Sequence, residues 1–413
     1  VGTFLVELTE RLPRAVAAGF APLVAHLGGR SHAIRSGIIG AAASLLHRAY
    51  GEGGGPGSDG SGTSAAAATG DPAAALARLR TKQHLLDLLV ERAYDTSAFT
   101  RARALHAWAA LADRGSLPLG HWLCVTRLAA DRLEDRAALV RRAALGLLQA
   151  LMLYNPFGPV LPAGSFDASL AQFEARLAEA EGGRGGGAED RPEAAAKWGA
   201  GAIKVEADGT AAGADAAARA AAEAAAADEM VDALVAGDDA EDDAQPSQEE
   251  EEEEEGAPQP APQDANAEQL RALVASLRTA SAFARALTAA LPTVVQLLGS
   301  ATLSDVTEAL SLLVCARKFE LDGAEAALRR VLPLAFSREQ GIPGAVVSAV
   351  EDLRLAGRGA DAGAAGLVDL AVGASLGELA ALEEVVGRLL AVPAGGTEAD
   401  ARARPAVVRA LWA

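Results

Sequence analysis

One pattern constrains this chain more than any other. In "YDTSAFTRARALHAWAAL" Asp95 stands six residues before Arg101, and in "LEDRAALVRRAALGLLQALM" Asp135 stands six residues before Arg141. The two arginines are 40 residues apart. "LGGRSHAIRSGIIGAAASLL" places Arg35 in the same setting, with Gly29 where the Asp would be. Arg35 and Arg101 lie 66 residues apart, or roughly 46 once the Gly-rich insert between them is discounted, within the period of HEAT and armadillo helix pairs. "SREQGIPGAVVSAVEDL" has the same form further on, with Ala345 in place of the Arg.

Periodicity predicts what surrounds these charges. Trp122, Val125, Ala129 and Leu133 recur at spacings of three and four. Val140, Ala144, Leu147, Leu148 and Leu151 do the same, as expected of amphipathic helices with one buried face. Ala and Leu dominate, aromatics are 4% of the chain, and strand-forming residues are scarce. The expected fold class is all-α: an α-solenoid of HEAT-type helix pairs interrupted by disordered inserts.

Six residues at about 100° each leave Asp and Arg roughly 120° apart around a helix, so their side chains are poorly placed to bond each other. Asp at the helix start is placed to cap free amides. Arg, nearly two turns in, is placed to reach the Asp of a stacked neighbour. The expectation is a structural ladder made by Asp95, Arg101, Asp135, Arg141 and Arg35, one contact reused from repeat to repeat.

Composition shifts divide the chain. Residues 1–180 form one helical block, interrupted by the Gly/Ser-rich loop 51–72. That loop lacks the GK[ST] ending of a phosphate-binding loop. Residues 181–265 form a Gly/Ala-rich and acidic linker, and residues 266–413 continue the helices. The net charge of −18 is concentrated between Ala222 and Glu255, which hold sixteen acidic residues and no Lys or Arg, so the remainder is near −2. Seven consecutive glutamates, Glu249 to Glu255, favour disorder there. Ser247, in "PSQEEEE", reads as a candidate site for an acid-directed kinase, against the plainer reading of an unmodified Ser.

No catalytic constellation is legible. The six histidines are scattered without ligand spacing, and HExxH and CxxC motifs are missing from the sequence. No cofactor, metal or small-molecule substrate is expected. Cys124 and Cys315 read as small buried apolar residues in a reducing compartment. The uncharged run Ala286–Ser304 includes Pro292, Gln296, Gly299 and several hydroxyl residues, and is expected to be an amphipathic helix and not a membrane span. Basic pairs supply candidate DNA-phosphate contacts at Arg103, Arg142, Arg329 and Arg330. Ordinary solvated surface is the competing reading, since no dense basic stripe is present.

Four segments, in order, resemble one family. They are "VGTFLVELTERLP" (Val1–Pro13), "LMLYNPFGP" (Leu151–Pro159), "RKFELDGAEAALRRVLPLAFSREQGIPGAVVSAVEDL" (Arg317–Leu353) and "LVDLAVGASLGELAALEEVVGRLL" (Leu367–Leu390). They resemble the central part of the condensin complex subunit 1 family, the HEAT-repeat non-SMC subunits of condensin I. The resemblance implies a non-catalytic scaffold in mitotic chromosome condensation. It implies binding to the kleisin subunit and the SMC ATPase subunits and help in gripping DNA and chromatin. It also implies residence in the nucleus and on mitotic chromosomes, with a cytoplasmic pool. Gly29 and Ala345 depart from the repeat pattern. The competing readings are a HEAT subunit of condensin II or cohesin, or an importin-like transport adaptor.

Overall fold

The computed structural model describes residues 1–50, 72–182, 262–339, 341–355 and 359–391. Among them the regular elements are α-helices and short 3-10 turns, with no strand. The first helices are α1 (Gly2–Arg11), α2 (Pro13–Ala18), α3 (Phe20–Val24), α4 (His32–Arg48) and α5 (Pro72–Arg92). Next come α6 (Ala98–Asp113), α7 (Trp122–Arg132), α8 (Ala138–Leu153), α9 (Ala163–Gly182) and α10 (Pro262–Leu297). The last are α11 (Leu303–Lys318), α12 (Ala324–Arg329), α13 (Ile342–Arg354), α14 (Ala360–Ala371) and α15 (Leu376–Ala391).

One row of helices runs through the molecule, with each member packed on the next: α1, α4, α6, α8, α11, α13 and α15. Beside this row lie α5, α7, α10 and α12, so successive pairs stack as a HEAT-type α-solenoid. The two predicted apolar faces are the ones buried: Trp122, Val125 and Ala129 on α7 with Leu133 at its C-cap, and Val140, Ala144, Leu147, Leu148 and Leu151 on α8. One helix crossing depends on missing side chains. A Cβ on Gly37 of α4 would lie 2.4 Å from the Cα of Gly2, so α1 crosses α4 backbone to backbone there.

The helical blocks before and after the long insert share one hydrophobic core. Residues 183–261 depart from α9 and rejoin at α10, and these two helices pack antiparallel. Arg278 bonds Glu174 at 2.7 Å, and Asp167 accepts from Ser281 Oγ at 2.7 Å and from Arg285 at 2.6 Å. Trp122, Phe157 and Phe283 cluster where the blocks meet, with ring centroids 5.1–6.3 Å apart. After "NPFGP", the Leu161 N–H donates to the Phe319 carbonyl at 2.8 Å and the Ala163 N–H to Asp322 Oδ2 at 3.0 Å.

Two sequence expectations are corrected. The run Ala286–Ser304 is not one helix: α10 ends at Leu297, the chain turns through Gly299, and α11 starts at Leu303. By length and composition alone, Glu268–Leu297 is the one described helix able to cross a membrane; here it packs along α9 and α7, with Phe283, Ala284 and Val294 in the core. Cys124 is exposed, because it lies on the face of α7 opposite the Trp122–Val125–Ala129 stripe. Cys315 is buried, and burial pushes its thiol up to about 11.

Candidate functional site: an arginine–aspartate ladder

Each ladder arginine sits four residues after the N-cap of its helix: Arg35 after Ser31, Arg101 after Ser97, Arg141 after Ala137. Its guanidinium is divided between two tasks. One terminal nitrogen turns back to the backbone carbonyl six residues earlier. Arg35 Nη1 donates to the Gly29 carbonyl at 2.5 Å, Arg101 Nη1 to that of Asp95 at 2.8 Å, and Arg141 Nη1 to that of Asp135 at 2.8 Å. The six-residue spacing thus serves the backbone. Gly29 meets this need as well as Asp does, because only its carbonyl is used.

The remaining fork reaches the next repeat. Arg35 Nε and Nη2 donate to Asp95 Oδ2 and Oδ1 at 2.9 and 2.8 Å, and Arg101 donates in the same way to Asp135 at 2.8 and 2.8 Å. Paired N–H donors on a carboxylate fix direction as well as distance. Asp95 and Asp135 are not caps of the usual kind. Each lies two residues before the N-cap, and its Oδ1 accepts the N-cap residue's own N–H, Ser97 at 2.8 Å and Ala137 at 2.9 Å. Arg92 and Arg132 add a cation 3.8 Å from these carboxylates, and Arg132 also lies over the Tyr94 ring at 4.6 Å.

The third rung was hidden from sequence reasoning. Arg141 Nε and Nη2 donate to Asp305 Oδ2 at 3.0 and 2.5 Å, across 164 residues and the long insert. Asp305 is fully buried in the first turn of α11. The position two before that helix's N-cap, Thr302, holds Ser300 instead of Asp. Ser300 Oγ accepts the Thr302 N–H at 3.1 Å and donates to Asp305 Oδ2 at 2.9 Å. A hydroxyl therefore makes the turn, and the carboxylate arrives from inside the helix. In consequence the Arg141 fork falls on one oxygen, and Asp305 Oδ1 is buried without a hydrogen-bond partner. The sequence signal was "SATLSDV", a Ser in register with the repeat and an Asp five residues later.

Burial pushes the Asp95 carboxyl up, but hydrogen bonds from Arg35 and the Ser97 N–H, with the charges of Arg35 and Arg92, hold it below the usual range. Asp135 is held down in the same way against burial, by Arg101, the Ala137 N–H and Arg132. Carboxylates locked by guanidinium forks are ill-suited to proton transfer and well-suited to holding helices in register. Among the described residues, no group of three or more His, Cys, Asp or Glu is gathered as metal ligands would be.

The other candidates fare differently. Arg103 and Arg142 are both exposed; burial first, and then the charges of Arg103 and Arg142, push the His106 imidazole below its usual value. The tip of Arg103 rests over Gly40, where a Cβ would lie 2.4 Å from Nη2. Arg142 is not free of acidic neighbours: its Nε lies 3.3 Å from Glu308 on α11. Arg329 Nη2 donates to the Asp369 carbonyl at 3.2 Å, near the end of α14. Arg330 is exposed. The structure does not gather these four residues on one helix pair, since Arg329 and Arg330 belong to α12 and the turn after it. Ser247 lies outside the described residues.

Sequence comparison decides the family. The chain is 35% identical over 390 residues to the condensin-1 complex subunit CAP-D2 of Arabidopsis thaliana, covering 94% of this chain and 25% of that protein. The chain belongs to the condensin complex subunit 1 family. Condensin complex subunit 1 of Mus musculus is 30% identical over 154 residues, 37% of this chain and 10% of that protein. The Homo sapiens protein is 30% identical over 168 residues, 41% of this chain and 10% of that protein. The chain therefore spans about a quarter of the length of the plant relative. No family model matches the chain.

Proposed function

We propose that this chain is a non-catalytic scaffold segment of a condensin complex, presenting a stacked-helix surface to the kleisin and SMC ATPase subunits in mitotic chromosome condensation. The reading rests on one observation: identity to a condensin-1 subunit along nearly the whole chain, over a fold whose shared charge network is built for rigidity. The ladder residues Arg35, Asp95, Arg101, Asp135 and Arg141 serve architecture in this reading. Arg103 and Arg142 serve phosphate contact, together with Arg330, and Arg142 exchanges Glu308 for a DNA phosphate when the complex engages chromatin. Residence in the nucleus and on mitotic chromosomes, with a cytoplasmic pool, follows from that role. Phosphorylation of Ser247 would add charge to an already acidic stretch, and phosphopeptide maps of dividing cells lacking it would remove it from the account.

The test is co-elution of the purified chain with a kleisin fragment on a sizing column. Binding to the kleisin fragment supports the scaffold. Binding solely to nuclear-localisation peptides would replace it with a transport adaptor. For DNA, crosslinks from the assembled complex should fall on Arg103 or Arg142. Crosslinks confined to other subunits would leave those arginines as ordinary surface.

A further inference from the structure

The row of helices is tied unevenly. The joint between α4 and α6 is held near the N-terminal edge by the Arg35–Asp95 rung, and at the opposite end by His47 Nδ1 against Ser116 Oγ at 2.7 Å. The joint between α8 and α11 has the Arg141–Asp305 rung and, further along, Ser311 Oγ to Gln149 at 3.4 Å. The next joint, α11 to α13, is built differently. Four residues after the N-cap, α11 carries Val306 and α13 carries Ala345, hydrocarbon side chains that cannot make a rung. The start of α13 is also sparing of fixed bonds. Its N-cap, Gly341, has φ 98°, in the left-handed region that glycine tolerates, and Pro343 has no N–H to give.

The far end of the same joint is clamped. Glu325 on α12 accepts Arg317 Nε from α11 at 2.6 Å on one oxygen, and Arg354 Nη2 from α13 on the other. Arg354 is buried, and its stem runs past Gly366, where a Cβ would lie 3.3 Å from Arg354 Cδ. Between the two ends the contact is apolar, through residues such as Leu313 and Val346, and apolar packing has no preferred direction.

We propose that the α11–α13 joint is a one-sided hinge: the solenoid bends by parting α11 from α13 at their N-terminal edge, pivoting on the Arg317–Glu325–Arg354 clamp. A joint held by one charged clamp and apolar contact slides or opens at lower cost than one tied at both ends. The inference concerns the chain's own mechanics and does not depend on which partner it binds.

Spin-label distance distributions in the 413-residue chain test it, in a Cys124→Ser background that removes the exposed native thiol. Leu303→Cys with Gly344→Cys reports the free edge, Lys318→Cys with Asp352→Cys the clamped end, and Phe99→Cys with Leu139→Cys a laddered joint. The free-edge distribution should be about twice as wide as the laddered one, and the clamped end should match the laddered one. Equal widths at the free edge and the laddered joint would overturn the hinge, as would a clamped end wider than the free edge. Glu325→Gln should then widen the clamped end and leave the laddered pair unchanged. A clamped end that stays narrow in that variant would show that Glu325 is not the pivot.

Discussion

Between α4 and α11 every step of the helix row that crosses a repeat carries an arginine fork. Between α11 and α15 the same row packs with the same apolar logic and, among the described residues, no arginine fork from one member of the row to the next. Both regions bury their faces, so burial alone does not distinguish them. The difference lies in a few side chains: Val306 and Ala345 stand where Arg would be, and Glu339 stands two residues before the α13 N-cap. Apolar packing makes a stack; directional ion pairs make it keep one register.

The sharpest way to break this contrast is to cut a rung. Arg101→Ala leaves Asp135, 5% exposed, without its main partner, and should destabilise the chain by about 3–5 kcal/mol in urea unfolding followed by circular dichroism. A loss no larger than that of a surface substitution would mean that the ladder is ornament. Acid offers a milder route. The depressed Asp95 and Asp135 carboxyls contribute stability that is fully present above the ordinary value of 3.8 and is lost as pH falls through their lower folded values. Unfolding midpoints should therefore hold level above that value and drop below it, and Asp135→Asn should flatten the drop. The smallest effect belongs to the second region. Arg317→Ala should cost about 1 kcal/mol or less, because the Arg317 and Glu325 side chains are 33% and 37% exposed and water screens their pair, while Glu325 keeps Arg354.

Much of this was readable in advance, for a physical reason. Asp95 and Arg101 repeat in Asp135 and Arg141 because stacked units reuse one contact, and reuse leaves a period in the sequence. The apolar stripe of α8 is readable because helical periodicity and burial coincide there. Asp305 was not readable. Its carboxylate performs the repeat's task from a different position, with Ser300 making the turn, so no spacing rule leads from Arg141 to it. The reason for the six-residue spacing was also out of reach, since it is set by backbone carbonyls that any residue supplies. The bond from Arg329 to the Asp369 carbonyl was also out of reach, since it joins two helices through a backbone oxygen 40 residues away.

The rung between Arg141 and Asp305 also bears on how such a chain can change over generations. It fastens the stack on both sides of the place where residues 183–261 leave and return, and the antiparallel α9 and α10 hold that doorway shut. Loop-closure cost grows only with the logarithm of length, about 0.6 kcal/mol for each doubling. The doorway therefore tolerates long, short, acidic or neutral passengers at nearly constant expense to the architecture. Sequence of any composition can accumulate there at its own pace while the helices on either side go on fitting the same neighbours.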